Sequence, residues 1–304
     1  MTDIKILAEG LGFPEGPVVC SDGSVVVVEL RNQKISRVSP DGKITLFSNA
    51  GGGPNGLAVG PDGFFYHTNN GGNRYIKGHP LGMGPHPDYK FGYVQRVDPK
   101  SGKTKLLYKK CGDRMLSAPN DLVFDTKGGF YFTDLGKRMP THKVLGGLYY
   151  AQPDGSKIVE VAFPILSPNG CGLSPDGKTI YVSDQPTNGV NVIDVAARKV
   201  VANIHLGESP EGVGYSPDGR WVAVAVGLAV VSTGYQRTMG GEWWGVAGAH
   251  RPHHGQHRAT SPSLFIPRAE ARPLGRQGDR ILQGGSEGRR DRHRRAVAPA
   301  RRRA

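Results

Sequence analysis

Glu15, Asn55, Asn120, Asn169 and Glu211 each directly follow a proline, and they recur at intervals of roughly 40 to 65 residues. Two carboxylates and three side-chain carbonyls make a set of hard oxygen donors. Such a set suits a divalent cation, Ca²⁺ best, with Mg²⁺ or Mn²⁺ also accommodated and Zn²⁺ less favoured for want of histidine or cysteine. In a narrow channel the two carboxylates would repel each other, and a cation relieves that repulsion. Asparagine and glycine after proline are also ordinary turn residues, so any single corner reads as a turn before it reads as a ligand. A turn has no reason to choose glutamate, and the run Glu, Asn, Asn, Asn, Glu at one register position favours chemistry.

These corners open five copies of one module. SAPNDLVFDTKGGFYFTD begins at Ser117, and its relatives are FPEGPVVCSDGSVVVVE from Phe13, GPNGLAVGPDGFFYHTN from Gly53, SPNGCGLSPDGKTIYVSD from Ser167 and SPEGVGYSPDGRWVAVAV from Ser209. Each joins two β-rich runs through a DG or KGG turn, the pattern of an antiparallel hairpin. No copy carries a helical period. The period and the hairpins predict an all-β fold, a β-propeller whose blades place every corner at one end of a central channel. The residues closing the second run, Glu29, Asn69, Asp134 and Asp184, read first as acceptors of backbone hydrogen bonds and second as a further ring of ligands.

Two insertions interrupt the modules. GGNRYIKGHPLGMGPHPDYKFG, from Gly71, is either a lid over the channel or a passive surface loop, and GKRMPTHKVLGG, from Gly136, lies in the third blade. His79 and His86 lie in the first insertion and read as solvated side chains, and His142, in the second, is by itself weak evidence for a base. Past about residue 228 the DG turns and β periodicity stop, and every basic residue other than histidine is arginine. Residues 1–228 are therefore read as blades one to five, and 229–304 as an Arg-rich, low-complexity segment. Three readings fit that segment: translation out of the original frame, a nucleic-acid-binding tail, or an unfamiliar folded extension. Disorder is the state its composition predicts. The cluster His250, His253, His254 and His257 could catch a transition metal, but the same biased composition explains it more simply.

The 304 residues, 37% of them hydrophobic, can bury a large core, and 45 glycines and 23 prolines suit a fold with many tight turns. The net charge of +13 belongs mostly to the C-terminal segment, so the blades carry no basic face for nucleic acid. Cys20, Cys111 and Cys171 are too few and too scattered for a disulfide framework or a zinc site, and read as small buried strand residues. No apolar leader follows the N-terminus and no apolar span reaches membrane length, which predicts a cytoplasmic protein.

FPEGP at Phe13, PNGLAVGPDG at Pro54, LSAPNDLVFD at Leu116 with GGFYFTD and GGLYYA after it, and PNGCGLSPDG at Pro168 resemble the senescence-marker-protein/gluconolactonase (regucalcin-like) family, in its bacterial members. The resemblance spans roughly residues 5 to 190. It implies a six-bladed propeller, with the last blade here degenerate or incomplete, and metal-dependent hydrolysis of sugar lactones or related cyclic esters. It implies Glu15 and Asn169 as metal ligands, Asn120 as ligand or substrate contact, and Asp121 as an orienting group beside it. The family's last ligand is an aspartate at the fifth corner, where this chain has Glu211. Animal members carry an arginine at the position of Ala118. The fourth and fifth repeats also resemble YVTN-type propeller repeats, a class with varied and often non-enzymatic roles.

Two functions of different class follow. As an enzyme, the chain would hold a cation through Glu15, Asn120, Asn169 and Glu211, contact a small lactone through Asn120, Asn55 and Asp121, and use Glu211 or Glu15 to take a proton from water. As a binding or scaffold propeller, it would hold the ion without turnover. Nucleic acid enters only through the arginine tail, and no membrane partner is expected.

Overall fold

The chain is described by a computed structural model. It describes residues 5–77, 82–206, 209–216 and 220–226, and the backbone of strands at 231–237, 243–249 and 263–267. The expectations for the remainder of 229–304, including the histidine cluster and the arginine-rich end, fall outside these residues, as does His79.

Strands β1 (Pro14–Val19), β2 (Val25–Glu29), β3 (Lys34–Val38) and β4 (Ile44–Ser48) form an antiparallel sheet in chain order. The second sheet joins β5 (Pro54–Val59) and β6 (Phe65–Asn69) to β9 (Tyr93–Val97) and β10 (Thr104–Tyr108), with a hairpin of β7 (Asn73–Tyr75) and β8 (Gly82–Pro85) inserted between. A short pair, β11 (Lys110–Cys111) and β12 (Arg114–Met115), leads to the third sheet. That sheet joins β13 (Pro119–Phe124) and β14 (Phe130–Asp134) to β17 (Gly146–Ala151) and β18 (Ile158–Ile165), around the small hairpin β15 (Lys137–Arg138) and β16 (Lys143–Val144). The fourth holds β19 (Pro168–Leu173), β20 (Thr179–Asp184), β21 (Gly189–Asp194) and β22 (Lys199–His205). In the fifth, β23 (Pro210–Tyr215) and β24 (Trp221–Val226) pair in turn, and β27 (Ser263–Pro267) lies against β24, while β25 (Val231–Arg237) and β26 (Trp243–Ala249) form a separate hairpin. The strands beyond β24 lie in the segment whose composition signals no regular structure.

First strands succeed one another around a circuit: β1 lies against β5, β5 against β13, β13 against β19, and β19 against β23, while β25 touches both β23 and β1. The second strands of the first four sheets are thereby buried on both faces. That is why the second strands read as unbroken apolar runs instead of alternating: VVVVE in β2 and FYFTD in β14 are buried at every residue. Four cores fill the joints. Val26, Ile35, Leu57 and Phe65 pack between the first two sheets, and Tyr66, Leu122, Phe130 and Tyr149 between the next two. Tyr131, Ile180 and Val182 follow, and Tyr181, Tyr215 and Val222 complete the series. Cys171 sits in the third of these cores as a small buried residue, where burial pushes its thiol up. The DG turns close the hairpins as expected: Asp22 accepts from the Ser24 backbone N–H at 3.0 Å, and Gly23 takes φ +77°, which a side chain would resist. Among the described residues no helix is long and apolar enough to cross a membrane.

Candidate functional site

Every predicted corner residue is the second residue of the first strand of its sheet: Glu15 in β1, Asn55 in β5, Asn120 in β13, Asn169 in β19 and Glu211 in β23. The proline before each pairs with the closing residue of the second strand, as in Pro14 with Glu29, Pro54 with Asn69, Pro119 with Asp134 and Pro168 with Asp184. In the first sheet Glu15 still pairs in register with Val28 and the shift follows it, whereas in the other four sheets the register shifts immediately after the proline pair, at the corner residue itself. A bulge at this place takes the corner residue out of the regular alternation and re-aims its side chain.

The corners also meet one another through the backbone. A Cβ built at Gly56 would lie 2.6 Å from the Asn120 carbonyl oxygen, and one at Gly16 would lie 2.9 Å from that of Asn55. A Cβ at Gly170 would lie 2.4 Å from the carbonyl oxygen of Glu211. Glycine after the corner is thus required by close approach of neighbouring sheets, not by the turn alone.

A hydroxyl locks each of three joints. Thr68 accepts from Gly56 N–H of its own sheet at 2.8 Å and donates to the carbonyl of Asn120 in the next. Thr133 accepts from Asp121 N–H at 3.1 Å and donates to the carbonyl of Asn169 at 2.5 Å. Ser183 accepts from Gly170 N–H at 2.9 Å and donates to the carbonyl of Glu211 at 2.5 Å. The sequence reading missed these residues. Their signal is the hydroxyl just before the closing residue in FYHTN, FYFTD and IYVSD.

The closing residues hold the entry to each corner. Asp134 accepts from Ser117 and Ala118 N–H, both at 2.7 Å, and from Gly136 N–H at 2.9 Å. Asp184 accepts from Ser167 N–H at 2.8 Å, and Asn69 from Gly53 N–H at the same distance. Glu29 accepts from Gly12 N–H at 2.7 Å, with Ser36 and Lys34 on its other oxygen. Burial works to raise the Glu29 carboxyl, but hydrogen bonds from Ser36, Gly12 and Asn32 outweigh it and hold the pKa below the usual range. This second ring fastens backbone, in the first of its two predicted roles.

The first ring is chemically different. Asn55 and Asn120 are 8% and 7% exposed, yet the side-chain amides of Asn55, Asn120 and Asn169 make no hydrogen bond with any other described residue. Burial raises the Glu211 carboxyl to about 7, with Gln185 Nε2 donating to it only at 3.4 Å. Burial also raises Asp121 to about 6, although its two oxygens accept from Leu122 N–H at 2.8 Å and Cys171 N–H at 3.1 Å. Asp121 therefore ties the Asn120 corner to the strand that bears Asn169. Among the described residues no three His, Cys, Asp or Glu side chains gather as a metal cluster. A cation at the corners would rest on two carboxylates completed by amide oxygens, a donor set that fits a hard divalent ion. A buried carboxylate pushed toward neutrality and amides with no partner among the described residues are groups such an ion would satisfy.

Both insertions reach this end of the molecule. Tyr75 of β7 lies 6.3 Å, ring to ring, from Phe13, and the Glu15 charge adds to the burial that raises its phenol. Strand β8 lies against β15 of the hairpin inserted in the third sheet. His86, with Asp88, Lys90 and Tyr93, lines a cleft of about 270 Å³ beside the first insertion, and His142 is exposed.

Four-stranded antiparallel sheets, joined core to core with their proline-led first strands following one another, define a β-propeller. Solved structures share this fold. XC5397 from Xanthomonas campestris, described as a gluconolactonase, is 23% identical over 80% of this chain and 78% of its own, with a TM-score of 0.58. A chain of a nidogen/laminin complex is 16% identical over 72% and 74%, with a TM-score of 0.55. Among curated proteins, the gluconolactonase of Zymomonas mobilis is 25% identical over 212 residues, 63% of this chain and 54% of that protein. The lactonase drp35 of Staphylococcus epidermidis is 42% identical over 74 residues, 24% of this chain and 22% of that protein. The chain thus spans about half the length of the first of these relatives and less of the second. The model of the SMP-30/gluconolactonase/LRE-like region matches residues 13–236, and the chain belongs to that family.

Proposed function

We propose that the chain is a metal-dependent lactone hydrolase on a six-bladed ring, the sixth place being taken by the β25–β26 hairpin, and that it works in the cytoplasm on a small sugar lactone. The observation that carries this reading is the first ring: five corners at the second place of five first strands, bearing two carboxylates and three amides, of which the amides of Asn55, Asn120 and Asn169 make no hydrogen bond with another described residue. Glu15, Asn120, Asn169 and Glu211 would hold the ion, Ca²⁺ foremost. When bound there, it supplies Lewis acidity to the lactone carbonyl.

The remaining work falls to side chains. Glu211 accepts the proton of the attacking water. Glu15 is the second candidate for that role. Water adds to the carbonyl carbon, the ring carbon–oxygen bond breaks, and the proton returns to the departing alkoxide, leaving a hydroxy acid. Asn120 and Asn55 orient the substrate by hydrogen bonds, and Asp121 keeps the Asn120 corner in place.

The test is hydrolysis of a panel of sugar lactones with and without chelator. Activity that falls with chelator and is lost in Glu15→Gln and Asn169→Ala supports the proposal. Metal binding without turnover favours the scaffold reading.

A further inference from the structure

Lys137 is 4% exposed, and the whole of its donor capacity is directed outside its own sheet. Its Nζ donates to the carbonyls of Asn70 at 2.8 Å and Gly72 at 2.9 Å, and to Asn73 Oδ1 at 2.8 Å. All three acceptors belong to the turn from which the β7–β8 hairpin springs. A buried ammonium tolerates such a place only when each N–H is satisfied, and here one four-residue turn satisfies them all. The ammonium also lies 4.6 Å from the ring centroid of Tyr89, whose hydroxyl donates to the Ser117 carbonyl at 2.8 Å, two residues before the third corner proline. At the far side of the hairpin base, Gly72 accepts from His86 N–H at 3.1 Å. The hairpin's first strand then carries Tyr75 to the first corner, between Phe13 and the Arg31 guanidinium, which lies 5.0 Å from its ring.

We infer that Lys137 is a positioning residue: it fastens the β7–β8 hairpin across from the third sheet so that Tyr75 stands beside Glu15 as a wall of the substrate site. This rests on the lactonase reading for the word substrate, and on the hydrogen bonds of Lys137 for the fastening.

The experiment uses the full chain and two readouts. In Lys137→Met, which keeps the stem and removes the donors, amides of residues 71–77 and 82–86 should exchange with deuterium about tenfold faster while those of β14 and β20 hold. Asn73→Ala removes one acceptor and should give a smaller rise at the same amides, which decides the matter if the methionine variant does not fold. In turnover, Lys137→Met should raise KM for a sugar lactone about tenfold with kcat nearly unchanged, and that effect should disappear in a Tyr75→Leu background. Exchange at the hairpin unchanged in both variants overturns the fastening. A KM effect undiminished in Tyr75→Leu overturns the link to the substrate wall. The exchange readout needs no turnover, so an unaltered chain inactive on every lactone would count against the lactonase reading and leave the fastening to be decided by exchange alone.

Discussion

From the second sheet to the fifth, every joint carries a hydroxyl, Thr68, Thr133 or Ser183, that bonds both its own first strand and the next corner. The first sheet places Val28 at that position, and the fifth places Ala225. The two kinds of sheet also differ in how their corners are entered. Phe13 and Ser209, which precede the prolines of the two glutamate corners, take φ of +59° and +53°, a region that side chains avoid and that a following proline makes less favourable still. No such residue precedes the three asparagine corners. The amides are therefore carried by a stitched arc, while the carboxylates stand on strained entries in the sheets without the hydroxyl. Backbone strain of this kind gathers where a site requires a particular geometry. The arc supplies a fixed frame, and the two charged corners supply the groups that respond to charge.

That contrast can be broken most severely at the carboxylates. Glu15→Gln and Glu211→Gln should each lower lactone hydrolysis by about 10²-fold or more while leaving the unfolding transition cooperative, as steady-state rates and thermal melts would show. A loss of the same size in Thr68→Val would mean that the arc, not the charge, governs the chemistry.

Next in size is the response to pH in chelator. Burial lifts the folded pKa of Glu211 from 4.5 to about 7 and that of Asp121 from 3.8 to about 6. Between those limits these two groups hold more protons in the folded chain than in the unfolded one, so their contribution to stability is greatest below about pH 4 and is lost as pH rises through 7. The loss attributable to Glu211 should be about 2–3 kcal/mol, read from urea midpoints between pH 4 and 8, and Glu211→Gln should flatten the upper part of the slope. A divalent ion should restore much of the loss at pH 7.

The arc itself is tested by Thr133→Val, which strips one donor from the Asn169 carbonyl and one acceptor from Asp121 N–H. It should cost about 1–2 kcal/mol in denaturant unfolding with little change in metal affinity. The smallest effect is expected at a strained entry: Ser209→Gly should stabilise the chain by about 0.5 kcal/mol, because glycine takes positive φ freely, and a thermal melt would detect it.

Much of this frame was legible in the chain. The Pro-led corners, the DG turns and the doubly apolar second strands each reflect a local requirement, and local requirements repeat visibly. The closing residues Glu29, Asn69, Asp134 and Asp184 were legible for a similar reason, since a strand-end carboxylate or amide has backbone N–H groups within reach. Thr68, Thr133 and Ser183 were not, because β-propensity alone accounts for threonine and serine in a strand, and their partners lie in another sheet. Lys137 was hidden more deeply. A lysine in a Gly- and Pro-rich insertion reads as solvated, and only the fold brings the turn at residues 70–73 over its ammonium.

The hydroxyls of the arc all point forward along the chain, and this gives assembly a direction. During synthesis Thr68 lacks its second partner until Asn120, 52 residues later, has left the ribosome, whereas Thr133 waits 36 residues and Ser183 only 28. Each new corner thus offers its carbonyl to a hydroxyl donor that precedes it in the chain, over ever shorter intervals, an order that suits growth of the arc from its amino end.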